Sequence, residues 1–309
     1  MESMSRAGHV QKLRKPLNKK FGPIKLTGIE SDLKLMDTML TDGLMCALTN
    51  QHMGNTAENI AKEFDISRAD QDSFAKKSHS KALAAIKSGL FKNEIVAVPV
   101  GDKSFDTDEC PNEISLEEYE SYPSVFMKEG TVTKGNACGL NDGASTVLVA
   151  DKEQALSLGL DIQAEVIGTA MTGNDPNTMG LGPVYAIQKL LKTISMKIED
   201  IDYFELNEAF AAQSLACVRQ LNIPEEKVCH FSRFLGRKIR ESTILENITL
   251  HFKVNVHGGS IALGHPIGCS GSRILATLIN VLKEKNAKTG IASLCIGGGM
   301  GIAIAIKLQ

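Results

Sequence analysis

Residues 291–308 read IASLCIGGGMGIAIAIKL, in which two apolar runs flank a glycine-rich connection. The apolar residues from Ile291 to Cys295 and from Gly301 to Leu308 predict two strands. The glycines between them let the backbone turn sharply and come close to a ligand. Upstream, strand-like and helical runs alternate from about residue 130 onward, which predicts an α/β layered domain.

The alternation supplies the other predicted elements of this domain. Strands are predicted at Thr146–Ala150, Gln163–Thr169 and Ile201–Leu206, and helices at Pro183–Ile194, Asn207–Leu221 and Ser270–Glu284. Before this region, Ser67 followed by Asp70 resembles a capping box, and Gly89 stands where a helix that began at Ser67 would end.

Composition excludes several classes of protein. The chain has 309 residues, long enough for one large domain or two modest ones. A formal net charge of −2 and an aromatic content of 5%, with no Trp, argue against nucleic-acid binding. The longest apolar run, 291–306, is shorter than the roughly 20 residues that a membrane helix needs. The seven cysteines include no CxxC pair, which argues against a disulfide framework or a zinc cluster.

Two motifs place polar side chains next to predicted helices. Asn207 opens the stretch NEAF after a strand, so it either caps the helix or binds a polar ligand. In NVHGGSIALGHPIG, residues 255–268, His265 stands on a turn stiffened by Gly264 and Pro266. A histidine held on a rigid turn suits a general base or an oxyanion donor, whereas His257 is expected to be a core histidine.

The third motif is the cysteine at the end of the strand 291–295. A buried cysteine is usually inert, but Cys295 is followed at once by Gly297, Gly298 and Gly299. Glycine N–H groups can donate to an oxyanion, and a nearby histidine could lower the pKa of the thiol. Cys295 is therefore a candidate base or nucleophile.

The order NEAF, NVHGGSIALGHPIG, CIGGGMG resembles the thiolase family. The stretches MESMS, QHMGNTAENIAKEFDISRADQD and GTVTKGNACGLNDGAS are similar to the middle of short-chain thiolases that interconvert acetyl-CoA and acetoacetyl-CoA. The resemblance implies a layered α/β/α/β/α thiolase-like fold with a loop domain. It divides the chain into a loop domain on the coenzyme A side (1–128), a remnant of the N-terminal domain (129–151) and a C-terminal domain (152–309) with an insert at 229–254.

The resemblance also implies roles for four catalytic positions. His265 would activate a nucleophilic thiol and line an oxyanion hole. Cys295 would remove or return a proton at the Cα of acetyl-CoA. Asn207 would hold a water in the oxyanion hole, and Gly297 would donate its backbone N–H to a second oxyanion.

Three further positions are implied on the coenzyme side. Met53 and Phe210 would line the pantetheine and acyl pocket, and Cys138 takes the place of a serine that contacts the coenzyme. No metal or redox cofactor is implied, and a coenzyme A thioester would be the substrate. The implied assembly is a homodimer or homotetramer, with no nucleic-acid or membrane partner. A cytoplasmic location is expected, and a mitochondrial one stays open.

The chain departs from the family pattern in three ways. The family's nucleophilic cysteine precedes MESMS, so the chain as given is expected to lack thiolytic and condensing activity. The coenzyme-facing stretch CPNEISLEEYES, residues 110–121, is acidic where relatives are basic. Residues 229–254 interrupt the junction between PEEKV and NVHGG, as a translated intron or a surface loop would.

Three interpretations follow from the resemblance and its departures. The first is a short-chain thiolase whose sequence is incomplete at the N-terminus. The second is a truncated, non-catalytic paralogue that binds coenzyme A or a thiolase partner. The third, a ketosynthase-like condensing enzyme, is disfavoured because such enzymes pair the histidine with His or Asn, whereas here Cys295 follows His265.

Overall fold

The computed structural model of the protein describes residues 8–10, 35–223 and 253–309. The predicted insert at 229–254 lies outside the described residues, apart from its last two positions, and so does the hypothesis of a translated intron. The chain is described again from Lys253, whose carbonyl oxygen accepts a hydrogen bond of 2.7 Å from Phe204 N.

The described residues form eight strands and eight α-helices. The strands are β1 (Gly8–Val10), β2 (Leu35–Asp37), β3 (Val98–Val100), β4 (Lys103–Phe105), β5 (Ala164–Gly173), β6 (Tyr203–Leu206), β7 (Thr289–Ile296) and β8 (Met300–Leu308). The α-helices are α1 (Met53–Glu63), α2 (Arg68–Lys87), α3 (Leu116–Ser121), α4 (Lys152–Ser157), α5 (Gly182–Thr193), α6 (Ala211–Gln220), α7 (Ser260–Leu263) and α8 (Ile267–Glu284).

The C-terminal part is built on a mixed four-stranded sheet in the order β5-β8-β7-β6. β6 and β7 are parallel, whereas β8 runs antiparallel to both β7 and β5. Beside β6, Phe204 also forms an isolated parallel bridge with Val254. β7 and β8 therefore form the hairpin around the glycine-rich connection that the sequence predicted.

Alternating side chains of β7 and β8 bury both faces of this sheet. Ile291 and Ala303 belong to the core shared with α5 and α6, whereas Ala292 and Ile306 belong to the core shared with α8. Strands covered on both faces are apolar at nearly every position, which explains the uninterrupted apolar runs in the sequence. The layered α/β fold expected from the sequence is confirmed.

Two predictions from the sequence have different outcomes in the structure. The capping of α2 is confirmed, because Ser67 Oγ accepts from Asp70 N at 3.1 Å and Gly89 has a φ of +70°. The predicted strand at 146–150 is wrong, since no strand is assigned there, and Leu148 and Val149 are each 78% exposed. A strand needs a neighbour for its backbone hydrogen bonds, and none of the described residues pairs with this run.

Two glycine backbones meet where α5 packs on β8. A Cβ added to Gly301 would lie 2.1 Å from the carbonyl oxygen of Gly182 and 2.6 Å from its Cα. No side chain fits in this space, and the obstacle is backbone rather than a movable side chain. The contact fixes how closely the helix approaches the sheet beside the glycine-rich turn.

We expect Gly301→Ala to destabilise the fold by about 2 kcal/mol or more, because the methyl group must push α5 away from β8. Gly271→Ala is the matched control, since a Cβ at that position on α8 meets no atom within 4 Å. Because Ala favours a helix over Gly by up to ~1 kcal/mol, the control should be neutral or stabilising. Denaturant unfolding of both variants measures the difference, and equal stabilities would contradict the steric argument.

Glu205 is a buried acid in the middle of β6, with 1% of its surface exposed. Its Oε2 lies 3.8 Å from Arg273 Nη1. Burial raises the pKa of Glu205 to about 8, against the opposing attraction of Arg273. The folded protein thus holds a proton on Glu205 that the unfolded chain releases near pH 4.5.

Between these two values the folded state binds more protons at this site than the unfolded state, so stability falls as the pH rises. Glu205→Gln removes this loss, and the stability gained over wild type should grow from pH 4.5 to pH 8. The gain is at most about 4 kcal/mol. Thermal unfolding across this pH range tests it, with the exposed Glu63→Gln as control. A gain that is independent of pH would contradict the assignment.

Candidate functional site

Asn207 lies directly after β6 and is fully buried. Its backbone N–H donates to Ser293 O of β7 at 3.0 Å. Its side-chain Oδ1 accepts from Ser260 Oγ at 2.5 Å, and its Nδ2 lies 3.3 Å from His265 Nε2. The side chain thus joins the end of β6 to the segment 255–268.

The predicted helix start at Asn207 is wrong. Residue Phe210 occupies the N-cap position with extended backbone angles, and α6 begins at Ala211. Residues before it are held extended by neighbours, since Ala137 bridges Phe210 and Cys138 N donates to Ala209 O at 3.1 Å. Asn207 therefore does not cap the helix, since its side chain contacts Ser260 and His265, and its binding of a polar ligand stays a prediction.

His265 is held through both ring nitrogens. Its Nδ1 lies 2.6 Å from Ser270 Oγ, and that hydroxyl also donates to Pro266 O at 3.2 Å. Burial, with a smaller contribution from the positive charge of Arg273, lowers the pKa of His265 to about 4. The imidazole is therefore neutral near pH 7.

Asn255, in the second motif, extends β6 through its side chain. Its Oδ1 accepts from Leu206 N at 2.8 Å, and its Nδ2 donates to Leu206 O at 2.7 Å. The same Nδ2 reaches Glu208 Oε1 at 2.8 Å, and Glu208 Oε2 accepts from Ser78 Oγ at 2.6 Å. Sequence reasoning missed these supporting roles, although Asn255 and Glu208 lie inside the quoted motifs.

His257 belongs to this framework and not to the site. It is 4% exposed, and its Nε2 lies 2.6 Å from Glu284 Oε2. The prediction of a core histidine is confirmed.

Cys295, near the end of β7, packs against an apolar cluster. The cluster contains buried Phe210, and the partly buried Met53 packs against it as Cys295 does. Burial raises the pKa of Cys295 to about 12. Burial likewise raises the pKa of Cys138 to about 12. The structure thus brings together the predicted residues Met53, Phe210 and Cys295, and the backbone N–H of Cys138 donates to Ala209 O in the same cluster.

The glycine-rich turn after Cys295 faces the same cluster. Gly298 and Gly299 have φ values of +88° and +83°, so their conformations favour glycine. Gly297 is exposed, and a Cβ built on it would lie 2.9 Å from Met53 Cε. The absence of a side chain at this position leaves the edge of the apolar cluster open.

Cys46 has surroundings that no pattern in the sequence indicated. It is 2% exposed, and its backbone N donates to Gln51 O at 2.8 Å. The neighbouring Thr49 hydroxyl and several backbone N–H groups, including that of Gly298, lower the pKa of its thiol. Only the folding of residues 45–51 against the glycine-rich turn creates this environment.

No helix among the described residues is long and apolar enough to cross a membrane. Within the same part of the chain, no group of three or more His, Cys, Asp or Glu side chains has an arrangement that could hold a metal ion.

Comparison with known proteins gives matches over most of the chain. The family model for the C-terminal domain of thiolase matches residues 160–308, and that for the N-terminal domain matches residues 1–153. An acetyl-CoA acetyltransferase of Paracoccus denitrificans is 43% identical over 281 residues, covering 89% of this chain and 65% of the relative. That of Shinella zoogloeoides is 42% identical over 312 residues, covering 99% of this chain and 70% of the relative.

Solved structures agree with these matches. The Bacillus anthracis acetyl-CoA acetyltransferase superimposes with a TM-score of 0.81 at 36% identity, over 100% of this chain and 70% of its own. Human mitochondrial 3-ketoacyl-CoA thiolase in complex with CoA gives a TM-score of 0.80 at 35% identity, over 100% of this chain and 69% of its own. The chain spans about two thirds of the length of these relatives. Its sequence, its fold and its motifs together show that the chain belongs to the thiolase family.

Proposed function

We propose that this protein is a thiolase-type acyltransferase that acts on acetyl-CoA and acetoacetyl-CoA. The observation that carries the proposal is the contact of Asn207, at the end of β6, with His265, together with the position of Cys295 near the end of the adjacent parallel strand β7. The relatives named acetyl-CoA acetyltransferase support the choice of substrate. A coenzyme A thioester is the substrate, and the proposed chemistry uses side chains and the backbone N–H of Gly297, with no metal or redox cofactor.

Cys295 is the proposed acid and base at the Cα of the acetyl group. As a thiolate it removes a proton from Cα, which leaves an enolate; as a thiol it returns the proton in the reverse direction. Because burial raises its pKa to about 12, the thiol is protonated at rest near pH 7. The resting site is therefore ready for proton return, and a thiolate must be generated before Cα is deprotonated.

His265 and Asn207 are the proposed groups at the thioester oxygen. The amide of Asn207 offers N–H donors, directly or through a water, and a neutral His265 can accept a proton from a reacting thiol. The N–H of Gly297 is the proposed donor to a second oxyanion. The buried surroundings strengthen these interactions because little water competes with them.

Met53, Phe210 and Cys138 are the proposed lining of the acyl and pantetheine pocket. Met53 and Phe210 are supported by the apolar cluster that they share with Cys295, and Cys138 by the hydrogen bond from its backbone N–H to Ala209 O in that cluster. An acetyl group is small, so a pocket narrowed by Met53 and Phe210 suits a short acyl chain.

No observation favours the alternative of a non-catalytic paralogue. Two expectations from the sequence stay predictions. They are assembly into a homodimer or homotetramer, which sedimentation analysis measures, and a cytoplasmic location, which imaging of the tagged protein measures.

Proton exchange tests the proposal without requiring the whole reaction. The full chain is incubated with acetyl-CoA in D₂O, and deuterium in the acetyl group is measured by mass spectrometry. We expect enzyme-dependent exchange that falls by about 100-fold or more in Cys295→Ala, because the group that moves the proton is gone. Glu63→Gln, which alters an exposed side chain outside the apolar cluster, should exchange like wild type.

Acetoacetyl-CoA thiolysis, followed in parallel, tests whether the chain also supplies an acyl-accepting thiol. Absence of exchange in folded wild-type protein, or unchanged exchange in Cys295→Ala, would refute the assignment of Cys295.

The raised pKa of Cys295 gives a second prediction. Only the thiolate reacts with iodoacetamide, so the alkylation rate should rise about tenfold per pH unit between about pH 7 and about pH 10. Peptide mass spectrometry of the folded protein measures this rate, with glutathione as the reference thiol. Levelling of the Cys295 rate near the usual thiol pKa of 9.0 would show that burial does not raise its pKa.

A further inference from the structure

Arg273 lies on α8 and reaches the site through a hydrogen bond to Ser260. Its Nη2 donates to Ser260 Oγ at 3.2 Å, and its Nη1 lies 3.8 Å from Glu205 Oε2. Ser260 is fully buried, and the side chain of Arg273 is 20% exposed. The proposed chemistry uses neither residue.

The guanidinium fixes the direction of the hydrogen bonds that follow it. Arginine only donates, so Ser260 Oγ must accept from Arg273, and its single proton is left for another partner. That partner is the side-chain atom of Asn207 at 2.5 Å. A hydroxyl that already accepts from Arg273 donates its own proton to an acceptor, so the carbonyl oxygen Oδ1 of Asn207 faces Ser260.

The amide of Asn207 transmits this direction to His265. With Oδ1 toward Ser260, Nδ2 faces His265 Nε2 at 3.3 Å and can only donate. A neutral imidazole carries one N–H, so Nε2 holds the lone pair and Nδ1 holds the proton. Nδ1 then donates to Ser270 Oγ at 2.6 Å, and Ser270 donates onward to Pro266 O. All links of the chain run in one direction.

We propose that Arg273 is a positioning residue that, through Ser260 and Asn207, holds His265 in the tautomer with its proton on Nδ1 and its lone pair on Nε2.

The catalytic consequence rests on the proposed function, whereas the tautomer itself does not. In that function a thiol proton moves to Nε2, the sulfur becomes a thiolate, and the imidazole becomes an imidazolium. The new Nε2–H can then donate to an oxyanion. The opposite tautomer, with its proton already on Nε2, could not accept the thiol proton there.

Nitrogen NMR of the full chain labelled with ¹⁵N-histidine reads the tautomer directly. Spectra are recorded at about pH 8, where an imidazole with a pKa of about 4 is neutral. The His265→Gln variant identifies the His265 signals by their loss. We expect a pyridine-type Nε2 and a pyrrole-type Nδ1 in wild type. No substrate is needed, so the result is independent of whether the protein exchanges acetyl protons.

Three variants test whether Arg273 orients His265 through Ser260 and Asn207. Arg273→Met and Ser260→Ala should each shift both ring nitrogens toward values intermediate between the two types, because the orientation of Asn207 is no longer fixed. Arg273→Lys should restore the wild-type signals, because the ammonium can still donate to Ser260. Arg219→Met is the matched control, since Arg219 pairs with Asp70 on the surface and should leave the signals unchanged.

Arg273→Met and Ser260→Ala serve as checks on each other, and circular dichroism confirms that each variant is folded. A wild-type His265 with its proton on Nε2 would overturn the proposal. Unchanged His265 signals in a folded Arg273→Met or Ser260→Ala variant would overturn it as well.

Discussion

The parallel pairing of β6 with β7 is what holds the site together. Four residue pairs join the strands, from Tyr203–Gly290 to Leu206–Ser293, and the hydrogen bond from Asn207 N to Ser293 O continues the ladder by one step. Parallel strands end at the same edge of a sheet, so the chain that leaves β6 and the end of β7 meet there. Cys295 lies two residues beyond Ser293, which places the thiol motif beside the asparagine.

Burial favours the neutral form of both His265, on the polar side of the site, and Cys295, on its apolar side. Burial lowers the pKa of His265 to about 4 and raises that of Cys295 to about 12. Both groups are therefore neutral at rest near pH 7, since an unpaired buried charge is costly. In the proposed reaction, charge develops only once a substrate is present, among donors that are already oriented.

Buried hydrogen bonds connect this site to the first half of the chain. Ser78, on α2, donates to Glu208 and accepts from Gly259 N at 3.0 Å. The region matching the N-terminal family model thereby supports both the motif after β6 and the loop before His265. Every polar group in such a network needs its partner, so the side chains hold one another in a single arrangement.

The sequence alone determined the parts of this protein that depend on local pattern. The apolar runs at 291–308 specified β7 and β8, because strands buried on both faces must be apolar throughout. Glycine and proline framing indicated His265 and Cys295 as candidate site residues, since a sharp backbone bend next to a polar side chain leaves a local signature. The order of the three motifs was specific enough to indicate the family.

Only the tertiary structure decided which residues meet and in what state. The start of α6 moved from Asn207 to Ala211 because neighbouring segments hold the residues between them extended. The exposed run at 146–150 has the apolar pattern of a strand. A strand also needs a neighbouring strand to pair with its backbone, and a local sequence pattern does not show whether one is there. The roles of Ser260, Ser270 and Arg273 depend on contacts between α7, α8 and β6. Such contacts, and the burial that shifts each pKa, arise only when distant segments pack together, so no local pattern in the sequence encodes them.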